Sequence, residues 1–136
     1  MSTAGYSDTA LPRKLGIKAG MRAAWVRAPE HFSGLLGDLP DGTRVKARAT
    51  APVDLVVCFA TRRAQLQREL PRLREAIRPD GAVWAAWPKR TSGVATDISE
   101  DVIREIALPI GLVDVKVCAI DDTWSGLRLV IRRELR

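Results

Sequence analysis

Two nearly uncharged runs dominate the pattern of the chain: Val53-Asp54-Leu55-Val56-Val57-Cys58-Phe59-Ala60 and Ala82-Val83-Trp84-Ala85-Ala86-Trp87. Runs this short, apolar at even and odd positions alike, read as central strands of a parallel sheet covered on both faces. Trp84 and Trp87 stand an odd number of positions apart, so a strand sends them to opposite faces. Pro79-Asp80-Gly81, just before the second run, reads as a turn. Two other segments alternate instead. Arg44, Lys46 and Arg48 oppose Val45, Ala47 and Ala49, and Val113, Val115 and Val117 oppose Asp114, Lys116 and Cys118. Charge on one face of an alternating strand marks a sheet edge. Met21–Val26 reads as the first strand, broken by Ala28-Pro29. Leu127–Arg133 returns antiparallel to Leu112–Ile120 after a reversal over Asp121–Gly126.

The helical pattern lies between these strands. Leu66, Leu70, Leu73 and Ile77 predict an amphipathic helix over about 63–77. Pro71 inside it predicts a kink or two abutting helices, because proline lacks the amide donor. Asp97 or Ser99 caps a helix running to about Ile110, and Asp97 with Glu100 has the spacing of a capping box. Shorter helices are expected over Leu11–Leu15, ended by Gly16, and over about Glu30–Leu36, ended by Gly37. The sum is an α/β fold: a doubly wound, mostly parallel sheet with helices on both faces and a C-terminal antiparallel hairpin. Residues 11–136 are expected as one domain and residues 1–10, small and polar, as a flexible N-terminus.

Composition narrows the function classes only a little. Of 136 residues, 46% are apolar and 28% charged, the balance of an ordinary globular protein. The first twenty residues hold no apolar core of a secretory signal, and no run approaches a bilayer span. The two cysteines, Cys58 and Cys118, fall in strands without metal-ligand spacing. They are expected to be reduced, unlinked thiols in a cytoplasmic protein. The net charge of +6 comes without any block of like charges. Aromatic side chains do not interleave with a basic strand, which disfavours nucleic acid as the partner.

The strand order resembles the class I methyltransferase fold with one strand–helix unit missing. Leu15-Gly16-Ile17-Lys18-Ala19-Gly20-Met21-Arg22 looks like the lead-in to that fold's first strand. Val53–Val57 looks like its fourth, Arg78–Trp84 like the turn into its fifth, and Gly111–Val117 like its sixth. The expected sheet order in that fold's labels is second, first, fourth, fifth, hairpin, sixth. The whole chain also resembles a domain-of-unknown-function family of small bacterial proteins, DUF3052. The marks are Trp87-Pro88-Lys89, Gly93-Val94-Ala95-Thr96-Asp97 and Asp122-Thr123-Trp124-Ser125-Gly126-Leu127. That family implies the fold and brings no assigned activity.

Two departures from the methyltransferase pattern bear on function. Where those enzymes carry a Gly-rich loop after strand one, this chain has Arg27-Ala28-Pro29-Glu30-His31. Where an acidic residue takes the cofactor's ribose hydroxyls, it has Lys46-Ala47-Arg48-Ala49. No cofactor is therefore expected, nor a metal, since Asp121-Asp122 alone lacks further ligands at suitable spacing. No nucleophile elbow or P-loop occurs.

Loops at the carboxyl ends of the parallel strands are where open α/β sheets bind ligands. The candidate ligand-binding residues there are Arg27, His31, Arg62, Lys89, Arg90, Thr91, Ser92 and Trp124, with no catalytic set among them. His31 stands at a helix start without a partnered nucleophile. One of Asp121 and Asp122 is expected to cap the hairpin turn and orient Thr123 or Trp124. Trp124 is expected either folded onto the sheet or lying as a lid over the cleft. The reading is a non-catalytic domain that binds or senses a small anionic ligand through these cations and hydroxyls. A divergent S-adenosylmethionine-dependent transferase is the alternative. A nucleic-acid module using Arg44, Lys46 and Arg48 is the second, and oligomeric state is left open.

Overall fold

The computed structural model describes residues 9–136, so most of the expected loose segment over residues 1–10 lies outside the described residues. Six strands form one sheet: β1 (Arg22–Val26), β2 (Arg44–Lys46), β3 (Val53–Phe59), β4 (Ile77–Pro88), β5 (Leu112–Ala119) and β6 (Trp124–Ile131). Their order is β2-β1-β3-β4-β6-β5. The first four run parallel; β6 is antiparallel to both β4 and β5. This is the order expected above, with the C-terminal hairpin strand inserted between β4 and β5. Helices α1 (Leu11–Leu15) and α2 (Phe32–Leu36) cover one face, and α3 (Arg63–Ala76) and α4 (Glu100–Ala107) the other.

The absence of polar alternation in β3 and β4 has its cause in this arrangement. Val56, Cys58, Val83, Ala85 and Trp87 pack beneath α3 and α4 with Leu66, Leu70, Leu73 and Ile103. Leu55, Val57, Phe59, Trp84 and Ala86 pack on the other face with Leu15, Phe32 and Leu36. Trp84 and Trp87 therefore face opposite ways, as their spacing requires. Trp84 is fully buried, and its indole Nε1 donates to the Leu15 carbonyl at 2.8 Å, fastening α1 to the sheet.

Four local readings are settled differently or more narrowly by the structure. Pro79-Asp80-Gly81 is not a turn ahead of the strand but part of β4, which follows α3 directly. Val53 pairs with Ile77 and Leu55 with Ala82, so the extra residues of β4 bulge out of register. The bulge brings Arg78 Nε to 3.0 Å from Asp54 Oδ1, while Asp54 Oδ2 accepts from the Arg22 amide. Of the two expected caps of α4, Asp97 with its box to Glu100 is not the one used. Ser99 is, accepting from the Val102 amide, and Asp97 Oδ1 accepts from the Arg63 amide at 2.6 Å, in the first turn of α3. The strand expected over Arg44–Ala49 ends at Lys46, whose ammonium donates to the Thr50 and Pro52 carbonyls as the chain turns away. Helix α3 runs through Pro71 as one helix rather than two. Pro71 lies on its solvent side, where the carbonyl left without a donor can meet water.

Cys58 in β3 and Cys118 in β5 have two strands between them and are both free. At about 4.8 Å per strand spacing they are about 14 Å apart, twice what a disulfide spans. Among the described residues no helix is long and apolar enough to cross a membrane.

Candidate functional site

Parallel strands β1, β3 and β4 deliver their carboxyl ends to one edge of the sheet. The chain leaves β1 toward β2 on one side and reaches β3 on the other, so the crevice between β1 and β3 is the topological switch point. A cavity of about 230 Å³ lies there, lined by Arg27, Phe59, Ala60, Thr61, Gln65 and Trp124. Arg27 directly follows β1 and takes φ 59°, the one positive φ at a non-glycine residue among those described. That left-handed conformation costs an L-residue about 1–2 kcal/mol and normally falls to glycine. The Arg27 guanidinium is only loosely tied, at 3.9 Å from Glu69.

Phe59 and Trp124 give the cavity one aromatic side. Trp25, Phe32, Phe59 and Trp124 form a chain of edge-to-face contacts with centroids 5.2, 4.9 and 5.1 Å apart. Trp124 is thus folded onto the sheet against Phe59. Asp121 fixes it there, its Oδ1 accepting from the amides of Thr123 at 2.9 Å and Trp124 at 2.7 Å. The other carboxylate oxygen lies 2.9 Å from His31 Nε2, joining the loop after β1 to the hairpin. Burial works against the Asp121 carboxylate. The hydrogen bonds from His31 and the two amides outweigh it, leaving its pKa below the ordinary value. Gln65 Oε1 reaches back to the amides of Thr61 and Arg62, closing the loop that starts α3. Beneath it, burial pushes the Cys58 thiol up to about 12, so Cys58 is no nucleophile at neutral pH.

A second, larger cavity of about 660 Å³ lies beyond the end of β4, between Trp87, Pro88, Arg90 and the 93–100 segment. Arg90 is its cation, facing a lining that includes Asp97 and Glu100. Arg90, Thr91 and Ser92 form a single 3₁₀ turn. The Ser92 hydroxyl donates to the Lys89 carbonyl at 2.7 Å and accepts from the Val94 amide, so it is spent on its own loop. The Lys89 amide donates to the Thr123 carbonyl, tying β4 to the hairpin.

The candidate residues therefore divide. Arg27 and Trp124 meet at the switch point, and His31 supports the same loops through Asp121. Arg62 is exposed at the start of α3. Arg90 lines the other cavity, while Lys89, Thr91 and Ser92 belong to the loop around it. Sequence reading missed Thr96, whose hydroxyl donates to the Thr61 carbonyl at 2.6 Å and accepts from the Ile98 amide. It missed Gln65 as well; Thr61-x-x-x-Gln65, ahead of an apolar helix, was the signal. Among the described residues no three His, Cys, Asp or Glu side chains cluster as a metal site.

No family model and no curated protein sequence matches the chain. Solved structures do. A SAM-dependent methyltransferase from Aquifex aeolicus is 15% identical, with TM-score 0.58, and the match covers 89% of this chain and 87% of that one. A TehB-like SAM-dependent methyltransferase from Corynebacterium glutamicum is 12% identical, with TM-score 0.55, covering 95% and 91%. A "possible exported protein" from Bordetella parapertussis is 10% identical, with TM-score 0.63, covering 90% and 66%. The residues at the switch point do not fit S-adenosylmethionine in its usual pose. Arg27 follows β1 where those enzymes carry glycine, and Lys46, not an acid, ends β2 with its ammonium donating to the Thr50 and Pro52 carbonyls. The chain has the methyltransferase-like, Rossmann-like α/β fold, shortened by one strand–helix unit.

Proposed function

We propose that this protein is a non-catalytic ligand-binding domain that holds a small anion, a carboxylate or phosphate, at the carboxyl edge of its sheet. Arg27 carries the reading. A loosely paired guanidinium, held in a backbone conformation that favours glycine, faces a small cavity with one aromatic side at the fold's ligand-binding crevice. Strain kept at such a place points to use. Arg27 supplies the charge-assisted contact, Trp124 and Phe59 the apolar wall, and the His31–Asp121 pair holds the hairpin in place. Arg62, Lys89 and Arg90 add positive potential along the same edge. On its motifs we also propose membership of the DUF3052 family.

A thermal-shift screen of small carboxylates and phosphates, followed by calorimetry, tests the reading. Arg27→Ala is expected to weaken the bound anion by about 10- to 150-fold, the equivalent of a charge-assisted hydrogen bond of about 1.5–3 kcal/mol. Unchanged affinity in that variant refutes it. Methyl transfer is supported by the fold alone, and fold does not carry function. Nucleic-acid binding through Arg44, Lys46 and Arg48 is weakened by the engagement of Lys46 with the Thr50 and Pro52 carbonyls.

A further inference from the structure

The cations of this protein are unevenly neutralised. On and beside α3 and α4, Arg63, Arg72, Arg74, Arg78 and Arg104 all carry ion pairs, Arg104 with Glu100, Asp101 and Asp114 together. The opposite face of the β5–β6 hairpin differs. There Lys116 of β5 pairs directly across from Arg128 of β6, which in turn pairs with Trp84 of β4. Directly opposed residues of an antiparallel pair share a face, and like charges so placed are destabilising. Neither has an acidic partner within 4.0 Å among the described residues, and Arg128 Nε is buried without an acceptor. Lys14 of α1 completes the group. Its ammonium donates to the Ala119 carbonyl at 2.9 Å, and it and Lys116 both lie close enough to act on the Cys118 thiol.

Two features thus coincide at one spot of the sheet: two cations directly opposed in register across β5 and β6, and an Arg128 Nε without an acceptor among the described residues. We propose that Lys14, Lys116 and Arg128 form a binding site for a phosphate monoester or pyrophosphate group. An anion bridging Lys116 and Arg128 turns their repulsion into attraction. The guanidinium offers a fork suited to two phosphate oxygens, and the ammonium groups act as point charges beside it. Three cations match a group carrying two or more negative charges better than a single carboxylate. The site is on the opposite side of the hairpin from α3 and α4 and shares no residue with the cavity at Arg27, so it stands independently of the reading above.

Pyrophosphate is the probe, titrated at constant ionic strength against the full chain and followed by melting temperature. The wild type is expected to rise by about 3 °C or more at saturation. Lys116→Glu, at an exposed position, replaces repulsion with a cross-strand ion pair. It is expected to melt higher than wild type without ligand and to lose the pyrophosphate shift. Because pyrophosphate can also enter the cavity at Arg27, all variants are compared in an Arg27→Ala background, where a shift is expected to remain and Lys14→Gln to reduce it. A Lys116→Glu variant that retains the shift overturns the site, as does one that melts lower than wild type. Loss of the shift in Arg27→Ala instead assigns the anion to the switch-point cavity and overturns the second site equally.

Discussion

Trp84 shows how much one side chain organises here. Its ring is sealed between α1 and the hairpin, where a Cβ on Gly126 would come within 3.0 Å of Trp84 Cε3 and 3.3 Å of Ile120 Cδ1. Gly126 is therefore required for close approach, not for flexibility. Trp84→Phe keeps most of the apolar area but orphans the Leu15 carbonyl, and is expected to cost about 1–3 kcal/mol in urea denaturation. Gly126→Ala is expected to cost about 1–3 kcal/mol by overpacking. Asp121 adds a pH signature. Its pKa is lowered in the folded state, so its contribution is fully present above the unfolded value of about 3.9. It is lost as pH falls through the lower folded value. Stability measured from pH 5 down to about pH 2.5 should show this loss in the wild type and a shallower slope in Asp121→Asn.

At the scale of elements, β4 and the 93–99 segment carry the irregular features. The bulge at the start of β4 works because position 81 lacks a side chain: a Cβ there would lie 2.7 Å from the Asp54 carbonyl oxygen. Gly81→Ala forces the two strands apart next to the Asp54 contacts to Arg22 and Arg78. A drop of about 1–3 kcal/mol in the same denaturation assay is expected. The 93–99 segment serves two helices at once, with Ser99 capping α4 and Asp97 satisfying the first amide of α3. Ser99→Ala is expected to cost about 1 kcal/mol, the usual value of such a cap. Neither the bulge nor the crossed cap was legible in the sequence. A Pro-Asp-Gly triplet reads the same in a turn and in a bulge, and Asp97-x-x-Glu100 has the spacing of a box whichever helix Asp97 serves.

For the whole molecule, likeness to SAM-dependent methyltransferases extends to the fold, and fold does not carry function. Calorimetry with S-adenosylmethionine is expected to show no affinity tighter than about 1 mM, and a micromolar constant would return methyl transfer to the front. The central strands of the core were legible in the residue pattern, and the sheet order in the resemblance to the methyltransferase fold. Hydrophobic period is local information, and β3 and the 82–87 stretch of β4, apolar at both odd and even positions, are buried on both faces. The absent glycine loop was equally legible, because a missing residue type needs no coordinates. Which candidates meet was decided by tertiary structure alone. Arg27 and Trp124 are distant in sequence and join only because β6 inserts beside β4 and Phe59 sets the angle of the indole. Ser92, by contrast, spends its hydroxyl on the carbonyl three residues before it. The opposition of Lys116 and Arg128 depends on a strand register displaced by the irregularity at Asp114–Lys116, and alternation along either strand alone cannot specify it.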